Sequence, residues 1–135
     1  MAVAPRTRRF TVDEYERMLD AGVFAPDAHV ELIEGEVIDM APIGDPHASI
    51  VDRLNMPLVP RVGDQAIVRV QSHVTFRALK SRPQPDLALL KPNRGFYRLS
   101  APTAADIFLL IEVMDTSRDY DRQQKAPMCR WPSAT

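Results

Sequence analysis

Two continuous apolar runs of strand length, Leu87-Ala88-Leu89-Leu90 and Ile107-Phe108-Leu109-Leu110-Ile111, constrain this chain more than anything else in it. Runs without polar alternation are expected where both faces of a sheet are covered. Each ends in a carboxylate: Asp86 opens the first run and Glu112 closes the second. Moving an ionised carboxylate into a dry strand environment costs on the order of several kcal/mol, comparable with the stability of a small domain, unless a cation compensates. Both acids therefore need a partner, and the residues alone leave two answers open. The acids reach solvent or bond to arginines such as Arg77 or Arg118, or they ligate Mg²⁺ or Mn²⁺, ions that prefer carboxylate and water oxygens. Asp119, Asp121 and Lys125 follow on a helix expected over 117–128, weakened by Pro127. Two strand-end acids with a lysine close behind suggest a metal-dependent phosphodiester site.

Composition narrows the class. With 135 residues the chain is expected to form one domain, and its net charge of −1 gives no global basic field for nucleic acid. An enzyme needs only a local basic patch, and the densest arginine cluster is Arg6, Arg8 and Arg9. The single cysteine, Cys129, excludes an internal disulfide framework and a cysteine zinc site, and the expected location is cytoplasmic. No signal peptide and no apolar run of membrane-spanning length is visible. His29, His47 and His73 lack the spacing of a zinc site, and His47 reads as a surface or capping residue. Nucleotide-binding glycine motifs and a serine-hydrolase elbow are absent from the sequence.

Taken in order, residues 1–9 read as a flexible basic arm. Thr11 as N-cap and Glu14 three residues on form a capping box, Phe10 can staple onto Tyr15, and Val12, Tyr15 and Leu19 share a face of a helix stopping near Gly22. Residues 29–40 read as a hairpin turning at Glu34-Gly35. Asp45 as N-cap and Pro46 start a second helix, with Ile50, Val51, Leu54 and Leu58 buried and Pro57 ending or kinking it near Asn55 or Met56. Segments 66–71 and 74–77 read as strands, 92–95 as a turn and 102–106 as a short helical turn. Terminal helices with strands between argue for an α/β (α+β) sandwich, a mixed sheet flanked by helices.

Pro85-Asp86, followed by Glu112-Val113-Met114, resembles the PD-(D/E)xK nuclease signature, with Met114 where its lysine would stand. The run 111–117, then Asp119-Tyr120-Asp121-Arg122 and Lys125, is similar to the Uma family of restriction endonuclease-like proteins. Glu31-Leu32-Ile33-Glu34-Gly35-Glu36, residues 42–47 and Val70-Gln71 resemble it as well. The resemblance covers residues 10–128 and implies a restriction endonuclease-like domain. It further implies a DNA endonuclease using Mg²⁺ (or Mn²⁺). Asp86 and Glu112 would ligate the metal with the backbone carbonyl of Val113. Lys125 would replace the missing lysine, Glu31 would be an additional acid, and Gln71 would position water or substrate. On the residues alone, Glu31 can equally be an exposed hairpin acid and Gln71 a partner in a cross-strand hydrogen bond.

The tail 129–135 departs from that pattern. It reads as divergent, the mark of a chain shortened by a shifted reading frame and lacking an outer part of the sheet. An exposed sheet edge would favour a homodimer. Two further readings therefore stand beside the endonuclease: an inactive nucleic-acid or protein-binding remnant of the fold, and an oligomer subunit whose acids pair with arginines.

Overall fold

The computed structural model of the chain describes residues 2–114; the helix expected over 117–128, with Arg118, Asp119, Asp121 and Lys125, and the tail from Cys129 lie outside the described residues. Helix α1, Val12–Asp20, begins as its sequence dictates. The Thr11 hydroxyl accepts from the Glu14 N–H, and the Glu14 carboxylate accepts from the Thr11 N–H. Two of the helix's orphan donors are thereby satisfied. Just beyond the helix, Gly22 takes φ +72°, a conformation that glycine adopts without strain.

Strands β1, Val30–Ile33, and β2, Glu36–Asp39, form the expected hairpin with Ile33 opposite Glu36. Glu34 and Gly35 carry the turn at φ 49° and 81°, the paired left-handed geometry of a two-residue hairpin loop. The basic arm closes over this turn: the Phe10 N–H donates to the Gly35 carbonyl at 2.9 Å, and Arg9 donates to the Glu34 carbonyl. Helix α1 lies on the hairpin, burying Val12 and Tyr15 against Val30 and Leu32, with Phe10, Leu19 and Phe24 around them. The Tyr15 hydroxyl donates to the Val30 carbonyl at 3.3 Å, so the buried phenol keeps a partner.

Helix α2, Asp45–Val62, departs from expectation in three ways. Its N-cap is Gly44, which places Asp45 inside the first turn. It also runs unbroken through Pro57 and Pro60. Both prolines are exposed, so the carbonyls that lose their intrahelical donors can be hydrated, and the break expected in a buried helix does not occur. Finally, the inward stripe is His47 and Val51, both buried, with Leu58 half-buried, while Ile50 and Leu54 stay exposed among the described residues. One three-stranded sheet covers only a narrow side of the helix.

That sheet has the antiparallel order β3-β4-β5, from Ile67–Val70, Leu87–Leu90 and Ile107–Ile111. Val51 of α2 packs on Leu87 and Val113, with Val68 and Ile111 beside them. The expectation of full burial holds for β4 and fails for β5. Leu87 and Leu90 are fully buried, whereas Phe108 and Leu109 are 57% and 47% exposed, because β5 is an edge strand among the described residues. Segment 74–77 is not a ladder strand. Thr75 and Phe76 form single bridges to Thr103 and Ser81, and Arg77–Leu79 is a 3₁₀ turn. A second 3₁₀ turn, Ala104–Asp106, capped by Thr103, leads into β5 as expected.

Candidate active site

Strand pairing assembles the site. Leu87 opens β4, Ile111 closes β5, and the two are register partners. The residues just outside them, Asp86 and Glu112, therefore emerge at the same end of the sheet, from segments 26 positions apart. Glu31 from β1 and Gln71, just after β3, join them around one pocket of about 50 Å³, with His29 and Gln84 also in its wall. That volume has room for a few water-sized groups. Four of the five side chains expected to act, Asp86, Glu112, Glu31 and Gln71, thus line one cavity; the fifth, Lys125, lies outside the described residues.

A chain of hydrogen bonds ties this end of the sheet together. Glu31 is 2% exposed, and its Oε1 accepts from the Gln84 N–H at 2.6 Å, so it is a buried acid and not an exposed hairpin residue. The Gln84 side-chain amide donates to the Gln71 carbonyl at 2.6 Å, and the Gln71 N–H donates to the Asp86 carbonyl at 3.0 Å. Gln71 has φ 45°, a left-handed conformation that costs a non-glycine residue on the order of 1–3 kcal/mol. Its backbone makes cross-strand bonds while the residue lines the pocket.

Asp86, only 7% exposed, has its partner inside the fold. Its Oδ1 lies 2.7 Å from Nε2 of His47, and its Oδ2 accepts from the Val113 N–H at 2.8 Å. An ionised carboxylate only accepts, so in this pair His47 donates through Nε2. His47 stands in the first turn of α2, where the helix's partial positive charge also favours an acid. The surface or capping role expected for His47 is thus corrected: it is 4% exposed, and Nδ1 has no hydrogen-bond partner among the described residues. Arg77 is not the partner of Asp86; it pairs with Asp13 at 3.1 Å. The Asp86–Val113 bond also holds the backbone of Val113, whose side chain is buried beside Leu87.

Carboxylate and amide side chains, Glu31, Gln71, Gln84, Asp86 and Glu112, make up most of the polar lining beside His29, and their oxygens are the hard set that suits Mg²⁺ or Mn²⁺. Among the described residues no three His, Cys, Asp or Glu side chains converge to hold a metal ion. Mg²⁺ does not require three, since it is commonly held by one or two carboxylates and keeps several waters. The residues present therefore fit such an ion through Asp86 and Glu112.

Two helices and two small antiparallel sheets make a mixed α+β fold among the described residues, and its acid-lined strand ends agree with the restriction endonuclease-like class. The chain matches the Uma2 family model, described as "Putative restriction endonuclease", over residues 12–133, and it belongs to that family. The match runs past Met128, where the resemblance drawn from the sequence stops. No curated protein matches the chain significantly.

Proposed function

We propose that this protein is a Mg²⁺-dependent DNA endonuclease, with Mn²⁺ able to substitute, hydrolysing phosphodiester bonds at the pocket between Asp86 and Glu112. The observation that supports this most is the convergence of Asp86, Glu112, Glu31 and Gln71 on one cavity in a member of this family. Asp86 and Glu112 would hold the ion, with the Val113 carbonyl as a third donor. When bound, such an ion lowers the pKa of a ligated water and offsets charge on the phosphate oxygens. His47 and the Val113 N–H hold the Asp86 carboxylate in place. Glu31 adds negative charge at the pocket wall, and Gln71 positions water or the phosphate. Lys125 holds or deprotonates the attacking water and offsets charge on the phosphorane. The water oxygen bonds to phosphorus, the ester P–O bond breaks, and the departing sugar oxygen takes a proton from solvent. Nuclease sites that cut both strands of a duplex often work in pairs, so a homodimer belongs to this proposal.

A second reading, a catalytically inactive nucleic-acid or protein-binding remnant, is favoured by the engagement of both Asp86 oxygens with His47 and Val113. A supercoiled-plasmid assay with Mg²⁺ or Mn²⁺ separates the two. The endonuclease reading expects nicking by the wild type and a loss of at least about 100-fold in Asp86→Ala, Glu112→Ala and Lys125→Ala. Retention of DNA without cleavage would favour the remnant.

A further inference from the structure

A second cavity, about 600 Å³, shares no lining residue with the first; Arg82 lines it, two residues before Gln84 of the acid pocket in sequence. Four arginines face it, Arg69, Arg77, Arg82 and Arg98, against two acids, Glu16 and Asp20. The acids are not shared evenly. Arg77 pairs with Asp13 at 3.1 Å and approaches Glu16 at 3.9 Å, and Arg82 approaches the same Glu16 at 3.8 Å. Arg69 and Arg98 have no ion pair among the described residues, and the Nε of Arg69 is buried without a hydrogen-bond partner. Partial burial and the neighbouring Arg82 charge both work against the charged form of Arg69, drawing its pKa below the usual guanidinium value. Crowded guanidiniums that lack a counter-charge are stabilised when an anion joins them.

Tyr97 and Arg98, which line the cavity with Arg69, belong to a strained loop. Phe96 and Tyr97 are consecutive non-glycine residues at φ 52° and 59°, each costing on the order of 1–3 kcal/mol. The Asn93 side chain, accepting from the Gly95 N–H at 2.9 Å, and the Tyr97 hydroxyl, donating to the Lys91 carbonyl at 2.6 Å, hold it there. Tyr97 is thereby fixed beside Arg69 and the following Arg98 is brought to the cavity.

We propose that this cavity binds a phosphate group, with Arg69 and Arg98 as its principal donors and Arg82 reinforcing the positive field. The planar guanidinium fork matches two phosphate oxygens, which favours phosphate over a spherical anion. The group can arrive as a free phosphate or as a backbone phosphate of nucleic acid; either is bound through the same donors. This site stands on its own residues and does not depend on cleavage at the acid pocket.

Calorimetric titrations of the full chain in EDTA, with inorganic phosphate and separately with a short DNA duplex, test the site without metal chemistry. At least one of the two is expected to bind, and binding is expected to weaken at least about tenfold in Arg69→Gln and in Arg98→Gln, but not in Arg53→Gln on exposed α2. Phosphate binding that competes with duplex assigns a backbone phosphate; phosphate binding without duplex binding assigns a small phosphate ligand. Arg98 is on an exposed loop, so its variant remains informative if Arg69→Gln fails to fold. Binding of neither probe by the wild type, or binding unchanged in Arg98→Gln, would overturn the proposal.

Discussion

Asp86 shows how one residue links sequence, packing and chemistry. Its carboxylate is buried, both oxygens are bonded, and one bond comes from a histidine 39 positions earlier. Removing that donor leaves an acid without one of its partners, which costs about 1–3 kcal/mol. His47→Ala should therefore lower the unfolding free energy measured by urea titration by that amount, while His47→Gln, which keeps a donor, should lose less. A change below about 0.5 kcal/mol in His47→Ala, as for an ordinary surface site, would contradict the assignment. Asp86 and Glu112 were legible in the sequence because an acid beside an apolar run conflicts with its surroundings and demands a partner. The identity of that partner was not, since nothing local joins His47 to Asp86. The available signal was the helical stripe His47, Val51 and Leu58, which puts the histidine on the buried side.

Among the elements, those set by contacts between near neighbours in sequence matched expectation. The Thr11–Glu14 box starts α1 and Glu34-Gly35 turns the hairpin, each through bonds spanning a few residues. Thr11→Ala should cost about 1 kcal/mol in thermal or chemical unfolding. The bond from the Thr11 N–H holds the Glu14 carboxyl below its usual pKa, so its contribution is present above the normal carboxylate range and fades as pH falls through it. Protection factors of the amides in the first turn of α1, corrected for the intrinsic pH dependence of exchange, should fall on acidification and should fall less in Glu14→Gln. At Gly35 a Cβ would sit 2.6 Å from the Cβ of Arg9 in addition to requiring φ 81°. Gly35→Ala should destabilise the protein by about 1–3 kcal/mol, and an unchanged melting temperature would contradict the turn geometry.

Elements whose fate depends on distant neighbours were less legible. Pro57 is a strong local stop signal, yet α2 continues past it where solvent can hydrate the freed carbonyl. Pro57→Ala should accordingly stabilise the chain by about 2 kcal/mol by restoring a helical bond; a neutral effect would place Pro57 outside a helix. Likewise the apolar run of β5 is indistinguishable in sequence from that of β4. Only the strand order shows that β4 is central and β5 lies at an edge among the described residues.

At the scale of the whole molecule, a net charge of −1 conceals two local fields. One cavity gathers carboxylates at strand ends, and the other gathers arginines beside a strained loop. Composition averages these away, so the acid site was legible only through its position on apolar runs, and the arginines, scattered from 69 to 98, were not legible as a group. No helix among the described residues is long and apolar enough to cross a membrane. The family match spans nearly the entire chain and agrees with the mixed α+β architecture. In the proposed mechanism Asp86 and Glu112 together hold a divalent cation for phosphodiester chemistry. This is tested most directly by calorimetric titration of the purified protein with Mg²⁺ or Mn²⁺, beside Asp86→Ala and Glu112→Ala. Binding by the wild type is expected, lost in both variants while each remains folded by circular dichroism. No binding by the folded wild type, or binding that survives both substitutions, would contradict it.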